Sequence, residues 1–194
     1  LPFSAEPRAP ASAVRRLPRP ARGAAAIVDA IQGHADAVAA ATKGADSILH
    51  LAAINGTENF YKRPELVLDV GVRGILSVID AAKRNNIREL VVASSSEAYQ
   101  TPPVVPTPED VPLVVPDPWN PRYSYGASKL ISEIIAANYG REAFDRIMIF
   151  RPHNVYGPRM DVHGKYTEVL VRWMERIAGG TPPLILGDGR QTMD

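Results

Sequence analysis

ILHLAAINGTENFYKRPELVLDVGVRGILSVIDAAKRNNIRELVVAS, residues 48–94, places a long helical pattern between two short apolar runs. The runs at 48–53 and 90–94 are typical of buried strands. Between them, Pro64 stands at a favourable first helical position, and apolar residues recur every three or four positions through 65–85. A strand, a helix and a second strand in this order predict two parallel strands joined by a right-handed crossover.

The same alternation continues on both sides of this unit. Further apolar runs predict strands at 24–31, 146–150 and 184–186. Further helices are predicted at 37–43, with Asp36 as its cap and Gly44 at its end, at 124–139 and at 166–178. Together these elements predict an α/β domain with a doubly wound parallel sheet, in which ligands bind beyond the carboxyl ends of the strands.

The composition excludes several classes of function. The 194 residues are 45% hydrophobic and 22% charged, which is the balance of one globular domain of ordinary size. No run approaches 18 apolar residues, so we expect no membrane span. The absence of cysteine excludes disulfides and thiolate chemistry, and the four histidines form no pair at helical spacing, so we expect no metal site.

The first 22 residues differ from the rest of the chain. They hold five arginines, five prolines and one acidic residue, so their net charge is +4 and that of the remaining 172 residues is −3. Few large apolar side chains are present, and we therefore expect residues 1–23 to form a disordered Arg/Pro-rich tail, with a targeting peptide as the alternative. The mildly acidic body from residue 24 onward predicts no nucleic-acid surface.

Candidate catalytic residues come together in the predicted fold. Tyr125 and Lys129 are four positions apart on a predicted helix, so their side chains share one face. A serine cluster, 94–96, ends the predicted strand 90–94 at the edge where ligands bind. An ammonium at about 6 Å, with an effective dielectric near 20, favours a phenolate by roughly 2.8 kcal/mol, and an oxidised nicotinamide ring would add a second cation. The pattern predicts a tyrosine base for an alcohol, lowered from its usual pKa of about 10, with a serine hydroxyl to hold the same alcohol.

Two features close to this cluster have competing interpretations. The segment 97–121 holds eight prolines and is long for a connection, so it is either an ordered rim over the site or a surface insertion without a role. His50 lies inside an apolar run, and we expect it to be a buried core histidine.

Five segments resemble the extended short-chain dehydrogenase/reductase superfamily and, more narrowly, its NAD-dependent nucleotide-sugar epimerases and dehydratases. They are LHLAAINGTE (49–58), VVASSSEAYQ (91–100), YSYGASKLISE (123–133), FRPHNVYGP (150–158) and ILGDGRQTMD (185–194). The resemblance implies a Rossmann-like fold, NAD as cofactor with NADP as the alternative, and a nucleotide-sugar substrate. It also implies a cytoplasmic enzyme that is a homodimer in its full-length form.

The resemblance also implies the role of each site residue. Tyr125 is the catalytic base, Lys129 its partner on the nicotinamide ribose, and Ser95 the catalytic serine. Further cofactor contacts fall on Leu51, Ala52, Ala53, Ser94, Pro152 and His153. Substrate contacts fall on Ser96, Glu97 and Asn154, although Asn154 also fits an Asx turn before Gly157. In the related GDP-mannose 4,6-dehydratases a glutamate stands where Glu97 does. The resemblance therefore leaves two reactions open after oxidation at sugar carbon 4: epimerisation, or 4,6-dehydration with Glu97 as a further catalytic base.

The sequence departs from the family pattern at both ends. It contains no G-x-x-G-x-x-G motif for the cofactor pyrophosphate and no C-terminal substrate domain. Residues 24–194 are therefore expected to be a truncated, partial NAD(P)-binding domain that binds NAD weakly or not at all by itself. Two alternatives stay open: a reductase of a non-sugar carbonyl with the same trio, and a catalytically silent binding or regulatory subunit or inactive fragment.

Overall fold

The computed structural model describes residues 35–157, 169–185 and 187–190. The tail expected at 1–23 and the strand expected at 24–31 lie outside these ranges. No helix within them is both long and apolar enough to cross a lipid bilayer.

A parallel sheet of three strands forms the centre of the described structure. The strands are β1 (Ser47–His50), β2 (Glu89–Ala93) and β3 (Arg146–Phe150), in the spatial order β1-β2-β3. Both neighbouring pairs are parallel, with His50 opposite Val92 and Val92 opposite Ile149. The predicted α/β fold with a parallel sheet is confirmed, although β1 is shorter than expected, because pairing with β2 ends at His50.

Five α-helices accompany the sheet within the described residues. They are α1 (Ala35–Ala41), α2 (Thr57–Lys62), α3 (Pro64–Asn85), α4 (Ser124–Ile134) and α5 (Val169–Ala178). Two short 3-10 turns, Ser96–Ala98 and Pro121–Tyr123, lie before α4, and a π-helical turn, Ile135–Tyr139, follows it. The long helix predicted from Pro64 has the bounds that its apolar period indicates.

The structure differs from the predicted elements in four details. Asp36 lies in the first turn of α1 instead of capping it, and it pairs with Arg84. The expected helix 124–139 widens into the π-helical turn, where the Gly140 amide donates to the Ile135 carbonyl. Helix α2 was missed because six residues are too short to show an apolar period. Of the strand expected at 184–186, residue 186 lies outside the described residues and residues 184 and 185 are not in a strand; the Leu184 carbonyl accepts a hydrogen bond from the Trp173 side chain of α5.

Helix α3 packs one face of the sheet and also fixes the position of α4. Ile75 and Ile79 of α3 are fully buried in the same cluster as Leu90 of β2. Gly71 lets α4 approach closely, because a Cβ atom there would lie 2.7 Å from the Cβ atom of Ser128. The helix that carries Tyr125 and Lys129 is thus held against the long crossover helix.

The other face of the sheet is open among the described residues. Leu49 of β1 and Phe150 of β3 point to this face and are 59% and 38% exposed. A doubly wound sheet carries helices on both faces. The described part of the chain therefore shows the helical layer of one face.

Candidate active site

The predicted serines and the predicted tyrosine–lysine pair meet at the carboxyl edge of β2. Ser94 and Ser95 follow the strand directly, and the Ser94 amide donates to the Phe150 carbonyl at 2.8 Å. The Ser96 amide donates to the Pro152 carbonyl at 3.1 Å. These two bonds continue the pairing of β2 with β3 beyond the strand ends, so the chain around Ser95 has a fixed path.

The Ser95 side chain lies within hydrogen-bonding reach of the Tyr125 phenol. The ammonium nitrogen of Lys129 lies 5.6 Å from the centre of the Tyr125 ring and donates to the Ala93 carbonyl at 2.6 Å. Helix α4 approaches this edge closely at Gly126, where a Cβ atom would lie 2.6 Å from the Glu97 carbonyl oxygen. The structure therefore brings the three residues of the predicted trio together.

Burial controls the ionisation of the cation in this cluster. Lys129 is only 6% exposed, and burial lowers the pKa of its ammonium to about 8. His50, which is buried on β1, has its pKa lowered to about 4, first by burial and then by the charge of Lys129. His50 is thus a neutral core histidine at neutral pH, as the sequence predicted.

In the protein alone the pKa of the Tyr125 phenol is raised above its usual value, whereas the predicted lowering includes the charge of an oxidised nicotinamide ring. Burial raises the pKa of the Tyr125 phenol, the hydrogen bond with Ser95 lowers it, and the charge of Glu97 raises it again. The physical reason is desolvation: a half-buried phenolate loses hydration, and the Lys129 ammonium is directed at the Ala93 carbonyl. A base at neutral pH therefore needs positive charge in addition to Lys129.

Glu97 is held by an arginine that the sequence analysis did not select. Arg122 donates from its two terminal nitrogens to both carboxylate oxygens, at 3.0 and 2.9 Å. The Glu97 amide also donates to the Ser95 hydroxyl oxygen at 3.2 Å. Both oxygens of the carboxylate next to the predicted trio therefore accept hydrogen bonds from Arg122.

An aromatic contact joins the same arginine to Tyr125. Phe60 of α2 stacks on the Tyr125 ring, with the ring centres 5.0 Å apart and the planes 13° from parallel. The Arg122 guanidinium lies 5.5 Å from the centre of the Phe60 ring. Phe60 was missed with α2, and no spacing motif marks it in the sequence.

A second ion pair lies one helical turn beyond Lys129. Glu133 of α4 accepts from two nitrogens of Arg151, at 2.8 and 2.7 Å, and from the Ser94 hydroxyl. Arg151 also donates to the Tyr99 hydroxyl at 2.8 Å. Burial favours a raised pKa for Glu133, but the bonds from Arg151 and Ser94 lower it below its usual value. Because its hydroxyl is used within the protein, Ser94 is part of the framework of the site.

The remaining predicted residues lie around this cluster with different exposure. Leu51 is exposed after β1, whereas Ala52 and Ala53 are half-buried there. Pro152 is half-buried after β3, and His153 and Asn154 are exposed. A pocket of about 570 Å³ runs beside Pro152 and His153 and is also lined by Thr107 and Glu109 of the proline-rich segment 97–121. Part of that segment thus borders the predicted cofactor residues.

The residues present fit one end of a nicotinamide dinucleotide. The Lys129 ammonium has three donors, and among the described residues its one hydrogen-bond acceptor is Ala93, so a ribose hydroxyl can take another. Exposed Leu51 and half-buried Ala52 offer an apolar surface at the same edge. The glycine-rich motif for a pyrophosphate does not occur in the 194-residue sequence. In the part of the chain that the structure describes, no three His, Cys, Asp or Glu side chains cluster as a metal site.

Comparisons with known proteins agree with this geometry. A UDP-glucose 4-epimerase of Mycolicibacterium smegmatis is 35% identical over 149 residues, which cover 76% of this chain and 45% of that protein. The solved structure of a UDP-N-acetylglucosamine 4-epimerase from Methanobrevibacter ruminantium, in complex with UDP-N-acetylmuramic acid, superposes with a TM-score of 0.68 at 28% identity, covering 79% of this chain and 48% of that one. A UDP-glucose 4-epimerase of Thermus thermophilus in complex with NAD superposes with a TM-score of 0.61 at 27% identity, covering 78% and 48%.

These relatives also define the extent of the similarity. The chain spans about half the length of the relatives that it matches. The family model described as the NAD dependent epimerase/dehydratase family matches residues 8–194. Since this match covers nearly all of the sequence, the chain belongs to the NAD dependent epimerase/dehydratase family.

Proposed function

We propose that the complete protein is an NAD-dependent epimerase of nucleotide sugars in which Ser95, Tyr125 and Lys129 carry the proton chemistry at sugar carbon 4. One observation supports this most directly: the Ser95 side chain and the buried Lys129 ammonium both lie close to Tyr125 at the carboxyl edge of β2, with Ser95 within hydrogen-bonding reach of the phenol. A sugar alcohol that enters between the two hydroxyls meets a proton acceptor and a hydrogen-bond donor at once.

Each residue has a distinct task in the proposed reaction. Tyr125 takes the proton of the carbon 4 hydroxyl while the carbon–hydrogen bond breaks, which gives a 4-keto sugar, and it returns that proton when the hydroxyl re-forms with the opposite configuration. Ser95 donates a hydrogen bond to the same oxygen, and Lys129 binds a ribose hydroxyl and favours the phenolate. NAD, when bound, supplies the acceptor for the hydride and gives it back to the ketone.

The state of Glu97 favours epimerisation over 4,6-dehydration. Dehydration needs a base for the proton on carbon 5, and Glu97 is the candidate. Both oxygens of its carboxylate accept hydrogen bonds from Arg122, so a proton on carbon 5 meets no carboxylate oxygen without a partner. The names of the epimerase relatives point the same way. Dehydration stays the second candidate because Glu97 lies near enough to Tyr125 for its charge to affect the phenol.

The test is an assay of the complete protein with NAD and a panel of nucleotide sugars. Epimerisation gives a product of unchanged mass with a new configuration by NMR, whereas dehydration gives a product that has lost water. We expect Tyr125→Phe and Ser95→Ala to abolish turnover and Tyr139→Phe to keep it, because the Tyr139 hydroxyl donates to Asp80 away from the trio. Full activity in Tyr125→Phe would rule out the assigned base. A complete protein that binds the nucleotide sugar but turns over none of the panel would favour the silent-subunit alternative, and oxidation of reduced cofactor by a non-sugar carbonyl would favour the reductase.

The assembly and location of the complete protein are further parts of the proposal. A homodimer is supported by exposed apolar side chains on the two adjacent long helices, Leu68 on α3 and Ile134 on α4. Analytical ultracentrifugation tests this, and a monomer at micromolar concentration contradicts it. A cytoplasmic location is proposed from the resemblance and is tested by cell fractionation.

A further inference from the structure

We propose that Arg122 is a positioning residue for Tyr125, because it neutralises the Glu97 carboxylate beside the phenol and holds the Phe60 ring against the Tyr125 ring. This inference rests on the proposed function, since it concerns how Tyr125 becomes a base. It adds two residues, Arg122 and Phe60, that neither the motifs nor the comparisons assign to the site.

The first half of the argument concerns charge. Arg122 binds both oxygens of Glu97 in a fork, at 3.0 and 2.9 Å, and the pair is about one-third exposed on each side. The charge of Glu97 opposes ionisation of Tyr125. A guanidinium that covers both carboxylate oxygens counteracts that opposition, whereas an unpaired carboxylate at the same place exerts it in full.

The second half concerns the ring. Phe60 is buried, with its face against Tyr125 on one side, and the Arg122 guanidinium approaches the same aromatic system at 5.5 Å. Stacked rings restrict the rotation of the phenol about its long axis and its tilt. One arginine therefore touches both groups that determine where the Tyr125 hydroxyl lies and how easily it ionises.

The backbone explains why Arg122 points in this direction. The Asn120 side chain accepts a hydrogen bond from the Arg122 amide at 3.0 Å and begins the turn Pro121–Tyr123. Pro121 fixes the backbone angle at the first position of that turn. The turn runs directly into α4, so Arg122 keeps a constant relation to Tyr125 three residues later.

Other titratable groups around the phenol do not duplicate this effect. On α4, Lys129 directs its ammonium at the Ala93 carbonyl, and on β1, His50 has a pKa of about 4 and is neutral. The charges of Tyr61 of α2 and of Tyr123 act on the pKa of the Arg122 guanidinium. Loss of Arg122 therefore acts on Tyr125 mainly through Glu97.

The experiment measures ionisation of Tyr125 in the complete protein without any substrate. Ultraviolet difference titration of each variant against the same variant with Tyr125→Phe isolates this one phenol. In Arg122→Gln we expect the titration to move upward by about one pH unit, because Glu97 is left unpaired. In the double variant Arg122→Gln/Glu97→Gln we expect it to return to the position of the wild type.

The matched control is Arg88→Gln. Arg88 forms a similar two-nitrogen pair with Asp145, at 2.8 and 3.3 Å, but it precedes β2, at the opposite end of the sheet from the trio. We expect no movement of the Tyr125 titration in this variant. If Arg122 has a purely structural role, the Tyr125 titration should not move in Arg122→Gln either. The pH at which Tyr125 titrates therefore distinguishes the two hypotheses.

The ring contact has its own readout. Phe60→Leu removes the stack without changing charge, so we expect a lower kcat on the plateau of the pH profile, at least tenfold, with the Tyr125 titration unmoved. An unmoved titration in Arg122→Gln, or an equal shift in the single and double variants, overturns the charge argument, and an unchanged kcat in Phe60→Leu overturns the ring argument. If the complete protein turns over no nucleotide sugar, the proposed function fails, while the titration still decides the charge argument.

Discussion

Removing Arg151 is expected to destabilise the protein far more than removing an exposed arginine with a similar ion pair. Arg151 and Glu133 approach to 2.7 Å, and their side chains are 21% and 9% exposed. Arg84 and Asp36 approach to 2.6 Å, with 53% and 95% exposure. The two pairs are within 0.1 Å of each other in length, but the Arg151 pair is far more buried and Arg151 makes further hydrogen bonds, including one to the Tyr99 hydroxyl.

The expected losses in the free energy of unfolding follow from the groups that each substitution leaves without a partner. Arg151→Met leaves the Glu133 carboxylate in a site where its two strong donors are gone, and it also unpairs the Tyr99 hydroxyl. Breaking one side of a buried pair costs about 3–5 kcal/mol, and the partial exposure of Arg151 places this one near 3 kcal/mol. Arg84→Met leaves a solvated Asp36, so its cost is below about 1 kcal/mol.

Urea unfolding of the complete protein measures both free energies of unfolding. The double variant Arg151→Met/Glu133→Gln should recover part of the loss, because it no longer buries an unpaired charge. Equal losses of stability in Arg151→Met and Arg84→Met would refute the reasoning from burial. So would a loss in Arg151→Met/Glu133→Gln equal to the sum of the losses in Arg151→Met and in Glu133→Gln.

Three other outcomes are expected. Gly71→Ala should destabilise the complete protein by about 1–3 kcal/mol in urea, because its Cβ would lie 2.7 Å from that of Ser128, and Ser128→Gly should restore most of it; no loss in Gly71→Ala contradicts the close packing. Lys129→Met should be more stable than the wild type below pH 8, and this gain should shrink as pH rises toward about 10.5. The reason is that the pKa of Lys129 in the folded protein, about 8, lies below its value in the unfolded chain. A gain in thermal unfolding that does not depend on pH argues against a buried ammonium. The 194-residue chain alone should bind NAD weakly or not at all, since its sequence lacks the glycine-rich motif; a micromolar Kd by calorimetry contradicts this.

The sequence predicted those parts of the fold that depend on local patterns. The helix from Pro64 to Asn85 and the strand Arg146–Phe150 were predicted with the observed bounds because period and flanking residues mark them. The sequence singled out Ser95, Tyr125 and Lys129, which the structure places close together, because they lie at the end of a buried strand and at a spacing of four on a helix. Both signals lie within short windows of sequence.

The features that were missed depend on contacts between distant segments. Phe60 and Tyr125 are 65 positions apart, and the helix that carries Phe60 has six residues. The pairing of Glu97 with Arg122 crosses the whole proline-rich segment. The sequence analysis did not foresee that burial raises the pKa of the Tyr125 phenol in the protein alone, because an estimate from one cation and a distance omits desolvation, which is the largest contribution at this half-buried phenol.

One pattern in the sequence nonetheless connects the residues that the sequence analysis selected with those that it missed. Arg122, Tyr125, Lys129 and Glu133 follow one another at spacings of three, four and four, so they share one face of α4 and of the turn before it. The outer two residues of this row form ion pairs with Glu97, after β2, and Arg151, after β3. The inner two are the proposed base and its cation.

The two ion pairs therefore hold the turn with the proposed base at both ends. Glu97 and Ser95 are two positions apart after β2, and Ser94 bonds to Glu133, so each end of the row on α4 is tied to the same short segment that carries Ser95. A shift of α4 along its axis would break both pairs at once. Since one turn of helix advances 5.4 Å, such a shift would also separate Tyr125 from Ser95. The mutual position of the two hydroxyls thus depends on charges that lie outside the trio, and for that reason the effects of Arg122→Gln and Arg151→Met are expected to differ: the first changes how readily Tyr125 ionises, and the second changes how stably α4 is held.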